Sequence, residues 1–159
     1  MTALEYIIAP AEFNNWQALY DLLEAGFAPM EERIDPPSSF NALTPDLLRE
    51  KAKIETLLVV FDIDTLVACA FIKQMLDAIY VGKIAVDVKY QKRGIGRNIM
   101  EMAAEFARER GKQWLELQIR IELIENHATF AALGFAKTGE SAHEGFNRPT
   151  SITMRRRVG

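Results

Sequence analysis

Cysteine is all but missing from this chain of 159 residues: Cys69 is the only one. A lone cysteine excludes an internal disulfide and any metal site built from several thiolates. It lies in the apolar run Leu66-Val67-Ala68-Cys69-Ala70-Phe71, where a buried, inert thiol is expected rather than a nucleophile. No apolar stretch approaches the roughly 20 residues that a spanning helix needs, and no basic segment leading into a hydrophobic core opens the chain. Neither membrane insertion nor secretion is expected, which leaves a cytoplasmic protein. Basic charge is not in excess either. A net charge of −3 and a pI near 5.5 argue against a nucleic-acid binder that relies on a broadly basic surface, while a local basic patch stays open. Internal repeats and low-complexity segments are also absent.

What is present is an ordinary globular balance. With 49% apolar and 26% charged residues, neither disorder nor a fibrous class is indicated. The length suits one well-cored domain over residues 1–159 and is short for two. Residues 4–8 read as a first strand. Phe13, Trp16, Tyr20, Leu23 and Phe27 then recur at helical spacing, with Gly26 as the expected stop. Periodicity disappears over residues 28–43, where Pro29, Pro36 and Pro37 mark a long loop of the kind that often carries function. Thr44-Pro45-Asp46 supplies an N-cap hydroxyl, a proline at the first helical position and an acid in the first turn, so a second helix is expected to about Lys53.

Residues 56–61, 65–72 and 78–88 are β-rich runs, the first two separated by Asp62-Ile63-Asp64, and together they predict an antiparallel meander. A helix follows with Ile95, Ile99, Met102, Ala103 and Phe106 on one face. Residues 114–121 alternate as a strand, with Leu115, Leu117 and Ile119 on one side and Glu116, Gln118 and Arg120 on the other. A fourth helix is expected over about residues 125–133, then strands at 135–138 and 150–156 joined by a polar loop from Gly139 to Pro149.

The meander delivers the chain into Gln91-Lys92-Arg93-Gly94-Ile95-Gly96-Arg97. Two glycines let backbone N–H groups approach an anion, and the helix that starts there adds the positive end of its dipole. A dinucleotide fingerprint would want a third small residue where Ile99 stands, and a Walker loop would end in Gly-Lys-Ser/Thr, where this chain has Gly96-Arg97-Asn98. Both of those classes fail.

Gln91 to Gly96 resembles the Gln/Arg-x-x-Gly-x-Gly/Ala motif of the GCN5-related N-acetyltransferases, and Val86-Asp87-Val88-Lys89-Tyr90 resembles the strand segment before it. Asn126-His127-Ala128-Thr129-Phe130-Ala131-Ala132-Leu133-Gly134-Phe135 resembles the fourth-helix segment of the same family, and His143-Glu144-Gly145-Phe146-Asn147-Arg148-Pro149-Thr150 resembles a tail seen in a bacterial subset. The resemblance implies an α+β fold with a central, mostly antiparallel twisted sheet, splayed strands and about four helices. It also implies acetyl-coenzyme A as cosubstrate. Backbone N–H groups of Gln91, Lys92, Arg93, Gly94, Ile95, Gly96 and Arg97 would hold its pyrophosphate, and Lys92, Arg93 or Arg97 would add charge. Val86 and Val88 would pair with the pantetheine arm where a β-bulge within residues 84–88 splays the strand, Val86 N–H would stabilise the oxyanion, and Asn126 and Phe130 would lie beside the cofactor.

The chain departs from the family where proton chemistry is concerned. Phe130 stands where many relatives carry a thiolate-protonating tyrosine, and the strand stretch that often holds an acid reads Tyr80-Val81-Gly82-Lys83. Glu116, on the polar face of its strand, and His143, in the terminal loop, are the catalytic candidates; His127 reads as an exposed helix residue. By resemblance the loops at 28–43 and 139–149 shape the acceptor pocket, where Glu31, Glu32 and Asp35 would attract a cationic amine. The acceptor's identity, and whether a longer acyl chain is used, are left open. The first reading is acetyl transfer to an amine of a small molecule or a protein. A non-catalytic coenzyme A-binding sensor and a nucleotide-phosphate binder of another fold are the alternatives. Partners are an amine acceptor and, by resemblance, a homodimer mate; no metal, nucleic-acid or membrane partner is expected.

Overall fold

The computed structural model describes residues 3–159. Its elements run β1 (Glu5–Ile8), α1 (Trp16–Phe27), α2 (Pro45–Ile54), β2 (Thr56–Asp62), β3 (Thr65–Gln74), β4 (Ala78–Val86), α3 (Ile95–Glu109), β5 (Trp114–Arg120), α4 (Ile124–Ala132), β6 (Ala136–Ser141) and β7 (Ser151–Arg157). The strands form one sheet in the order β1-β2-β3-β4-β5-β7-β6. Every neighbouring pair is antiparallel except β4 with β5. The expected α+β class, the meander and the final strand pair are all present.

The central strands read as continuous apolar runs because both of their faces are covered. Leu57, Val59, Cys69 and Phe71 point into a core shared with Leu19, Leu22 and Leu23 of α1 and Leu48 of α2. Leu58, Val60, Ala68, Ala70 and Ile72 point the other way, into a core with Ile95, Ile99, Met100 and Ala103 of α3. Local chemistry sets the helix starts. Asn15 Oδ1 accepts from Ala18 N at 3.1 Å, and Thr44 Oγ1 accepts from Leu47 N at 3.1 Å, each satisfying an orphan donor of the first turn.

Several boundaries differ from the expectations. Gly26 does not stop α1; the helix runs through Phe27 and tightens into a 3-10 turn over Ala28–Arg33, with Pro29 in its first turn. The loop at 28–43 therefore has structure of its own, including a second 3-10 turn at Ser39–Ala42 that buries Phe40. β4 ends at Val86 rather than Val88, because Asp87 Oδ1 accepts from Lys89 N at 2.9 Å and caps a 3-10 turn over Val88–Tyr90. Val88 thus leaves the strand that was expected to hold it. β6 continues through Gly139 to Ser141, since its pairing with β7 outweighs the weak strand preference of Gly-Glu-Ser. The bulge falls at Lys83–Ile84, just ahead of Val86: Cys69 faces Ala85 and Phe71 faces Gly82, so Ala70 alone opposes two residues. Lys83 accommodates it with φ 50°.

Phe71 is fully buried between β3 and the α1–α2 layer. Phe71→Ala is expected to lower unfolding free energy by about 3–5 kcal/mol, measured by urea denaturation.

Candidate functional site

Two openings meet at the C-terminal end of β4. The first is the glycine loop. Lys92 and Gly94 adopt positive φ, 64° and 81°, a conformation that glycine accepts without strain at the N-cap of α3. No side chain caps that helix, and its first turn carries no acid. The first helical bond is Asn98 N to Gly94 O at 3.0 Å, so the N–H groups of Ile95, Gly96 and Arg97 lack intrahelical partners. A Cβ added at Gly94 or at Gly96 would meet nothing within 4 Å, so space lies open in front of these donors. Lys92, Arg93 and Arg97 are exposed around it, and none is held in an ion pair among the described residues. The loop itself is anchored. Gln91 Nε2 donates to Val86 O at 3.2 Å, Tyr90 donates its hydroxyl proton to Asp62 on the β2–β3 turn, and the Arg93 guanidinium stacks 4.9 Å from the Tyr90 ring centre.

The second opening is the gap between β4 and β5. The two strands pair only where Ala78, Ile79 and Tyr80 face Trp114, Leu115 and Glu116, and they diverge beyond that point. Asp87 N donates to Val67 O at 2.8 Å. Strand alternation therefore turns the Val86 N–H away from β3 and into the gap. Asn126 lies in the first turn of α4, half-buried, with no hydrogen bond to its side-chain amide among the described residues. Phe130 is committed elsewhere: it packs on the α3-side core and meets Phe135 edge-on, ring centres 6.0 Å apart. The structure thus places Val86 at the end of β4 just ahead of the loop from Gln91 to Arg97, with Val88 exposed between them.

On its α1–α2 side, β4 meets a polar network. Lys83 Nζ donates to Ser39 Oγ at 2.8 Å and stands 5.4 Å over the Phe27 ring. Burial, reinforced by Lys51, pushes its pKa down. Arg120, whose pKa burial also lowers, donates from Nη2 to Pro37 O at 2.9 Å. Glu122 Oε2 accepts from Asp35 N at 3.0 Å, Arg148 Nη2 pairs with Asp35 at 3.0 Å, and Arg33 pairs with Glu125. These contacts stitch the loop at 28–43 to the β5–α4 turn and to the loop before β7. Three buried atoms there lack partners among the described residues: Glu31 Oε1, Glu122 Oε1 and Arg120 Nη1.

Neither catalytic candidate from the sequence stands free. Glu116 is 8% exposed, and its Oε1 accepts from Arg155 Nε at 2.8 Å while the same guanidinium grips Asp77 at 3.0 and 3.1 Å. That triad ties β5 and β7 to the β3–β4 turn. The Thr150 hydroxyl holds both the backbone N–H and Nδ1 of His143. His127, read as exposed, is half-buried and bonds Arg120 O through Nε2 at 3.0 Å. Sequence reasoning passed over Tyr80, Lys83, Arg120 and Glu122. For Tyr80 a signal was available in Gly82: a Cβ there would sit 3.1 Å from Tyr80 Cε1, so the glycine clears the space that the ring occupies.

Burial first, and Arg120 next, push the His143 pKa below its ordinary value. An NMR titration is expected to place its midpoint below about 6.5. Because the unfolded chain then binds more protons at this site, stability should fall as the pH drops below that value and be unaffected by His143 above it.

Comparison with curated protein sequences gives no match. Among solved structures, a GNAT-family acetyltransferase from Staphylococcus aureus superposes with TM-score 0.74 at 12% identity, covering 99% of this chain and 100% of that one. The ribosomal-protein-S18-alanine N-acetyltransferase of Escherichia coli gives TM-score 0.67 at 21% identity over 98% and 95%. A Bacillus subtilis acetyltransferase in complex with CoA gives 0.69 at 18% over 99% and 100%. Similarity at these identities establishes the fold. Sequence supplies the membership: the model of the Acetyltransferase (GNAT) family matches residues 16–135, so the chain belongs to the GNAT family of N-acetyltransferases, with acetyl-coenzyme A as cosubstrate.

Proposed function

We propose that this single-domain protein transfers the acetyl group of acetyl-coenzyme A directly to a primary amine of a small molecule or a protein within a ternary complex. One observation carries the reading: an uncapped, anchored glycine loop opens beside a gap in the sheet lined by unpaired backbone. A pyrophosphate suits the first and an amide-bearing arm suits the second. Bound acetyl-coenzyme A supplies an activated thioester. The N–H groups of residues 91–97 bind anionic oxygen, with charge-assisted bonds from Lys92, Arg93 or Arg97 adding about 1.5–3 kcal/mol each where water is excluded. The backbone of Val86 orients the arm as an added strand would be oriented, while Val88, drawn into the 3-10 turn, is left out of that pairing, and the Asn126 amide contacts the arm from α4. The Val86 N–H faces the position where negative charge develops on the carbonyl oxygen, which is the placement an oxyanion donor needs.

The polar wall on the α1–α2 side supports an amine acceptor that carries its own polar groups. Glu31 and Glu122 each keep one buried oxygen without a partner, and an ammonium group would satisfy such an atom.

Free-thiol release from acetyl-coenzyme A is expected with at least one member of a panel of primary amines, including peptide N-termini and lysine side chains. Calorimetry should show Gly94→Glu weakening coenzyme A binding at least about tenfold, the loss of one charged contact. Unchanged affinity in that variant would overturn the loop assignment. Tight binding with no turnover on any amine would favour the second reading, a coenzyme A-binding sensor, which Phe130 and Gly82, standing where a tyrosine and an acid are usual, motivate.

A further inference from the structure

The geometry points to Tyr80 as the proton-transfer residue of this acetyltransferase, acting from the closed end of the β4–β5 gap in the space that Gly82 leaves free. The inference rests on the acetyl-transfer reading and assigns that same site the proton carrier that both of its usual positions lack.

Tyr80 is the last β4 residue paired with β5, in register with Glu116, so it stands at the apex from which the two strands diverge. An arm entering from the glycine loop and running along β4 past Val86 advances toward that apex. The two residues share a face of the sheet, because paired positions in neighbouring strands project to the same side. The ring does not point away from the gap. It lies along the strand over Gly82, close enough that a methyl group at 82 would come within 3.1 Å of Cε1 and 3.7 Å of Cδ1. The hydroxyl is thereby carried about 6 Å from its own Cα toward the mouth of the gap, nearly two residues of strand rise. No described side chain accepts the Tyr80 hydroxyl proton.

Lone glycine in a strand interior weakens it, and it commonly marks a place where another group approaches closely. Here that group is the Tyr80 ring. A side chain at position 82 would have to push the ring aside, and glycine leaves it in place.

The acceptor arrives as an ammonium. As the C–N bond forms and the C–S bond breaks, two protons leave nitrogen; one ends on sulfur as the thiol and the other in solvent. Burial, and then the Glu116 carboxylate, raise the Tyr80 pKa, so the phenol is present in its protonated form. It therefore relays: the oxygen accepts a proton from nitrogen while its own proton passes toward Glu116, whose Oε2 is free of hydrogen bonds among the described residues. Glu116 returns it to water. Arg155, fixed in turn by Asp77, pairs with Glu116 and positions it.

The test uses the full-length protein and the best amine from the panel. Y80F keeps the ring and removes only the hydroxyl. It is expected to lower kcat about 10²-fold, the scale of one acid–base group, with KM for acetyl-coenzyme A unchanged and the solvent isotope effect on kcat lost. G82A should displace the ring and lower kcat in the wild-type background, yet cost nothing further in Y80F, because both changes remove the same group. A purely structural role predicts the reverse, with Y80F silent and the G82A effect equal in both backgrounds. Wild-type kcat in Y80F would overturn the inference alone. Absence of turnover by the unaltered protein across the panel would overturn the inference together with the acetyl-transfer reading.

Discussion

The site depends on one backbone constraint: β4 and β5 are the sheet's single parallel pair, and their ladder holds over only three residues of each strand. Parallel neighbours need a crossover, which α3 supplies, and the crossover must begin with a turn out of β4. The bulge at Lys83–Ile84 bends β4 just before that turn, and Asp87 then ends the strand by capping a 3-10 turn. Both strands are left with backbone groups that have no ladder partner. Such groups cost about 1–3 kcal/mol each when buried and unmet, so the gap has to stay wet or be filled by something with amides of its own. A cosubstrate with an amide-bearing arm answers that requirement, and the uncapped start of α3 follows β4 after one short turn.

Charge is arranged to match. The chain is net acidic, yet the exposed side chains around the loop at 91–97 are cationic and free of ion pairs among the described residues. On the opposite side of the gap, cations and carboxylates interleave. Lys83 and Arg120 are both partly desolvated, and Asp35, Glu122 and Arg148 tie three separate loops together. The two sides of the gap therefore differ in kind. One offers unpaired backbone donors and solvated cations, and the other a cross-linked network with a few buried atoms still lacking partners.

Much of this was legible because its causes are local. Thr44-Pro45-Asp46 capped α2 as read, since a cap involves only neighbouring residues. The meander, the amphipathic α3 and the glycine loop follow from periodicity and turn chemistry in the same way. Where reading failed, a partner far along the chain intervened. Gly139 belongs to a strand because β7 pairs with it, and residues 28–43 are ordered by Phe40 entering the core and by Arg120 and Glu122 reaching across. Val88 fell outside β4 through the Asp87 cap, a signal that the alternation of valines masked.

Sequence alone determined the class of elements, their order and the position of the glycine loop, because each of these is written in spacings of a few residues, and the family motifs carried the cosubstrate. Only the tertiary structure decided which side chains are free to act. Glu116 meets Arg155 across 39 positions of chain and Arg155 meets Asp77 across 78, so no local pattern could have revealed that the carboxylate was already engaged. Gly82 illustrates the same division: in the sequence it is a missing acid, and in the folded sheet it is the space that a phenol fills.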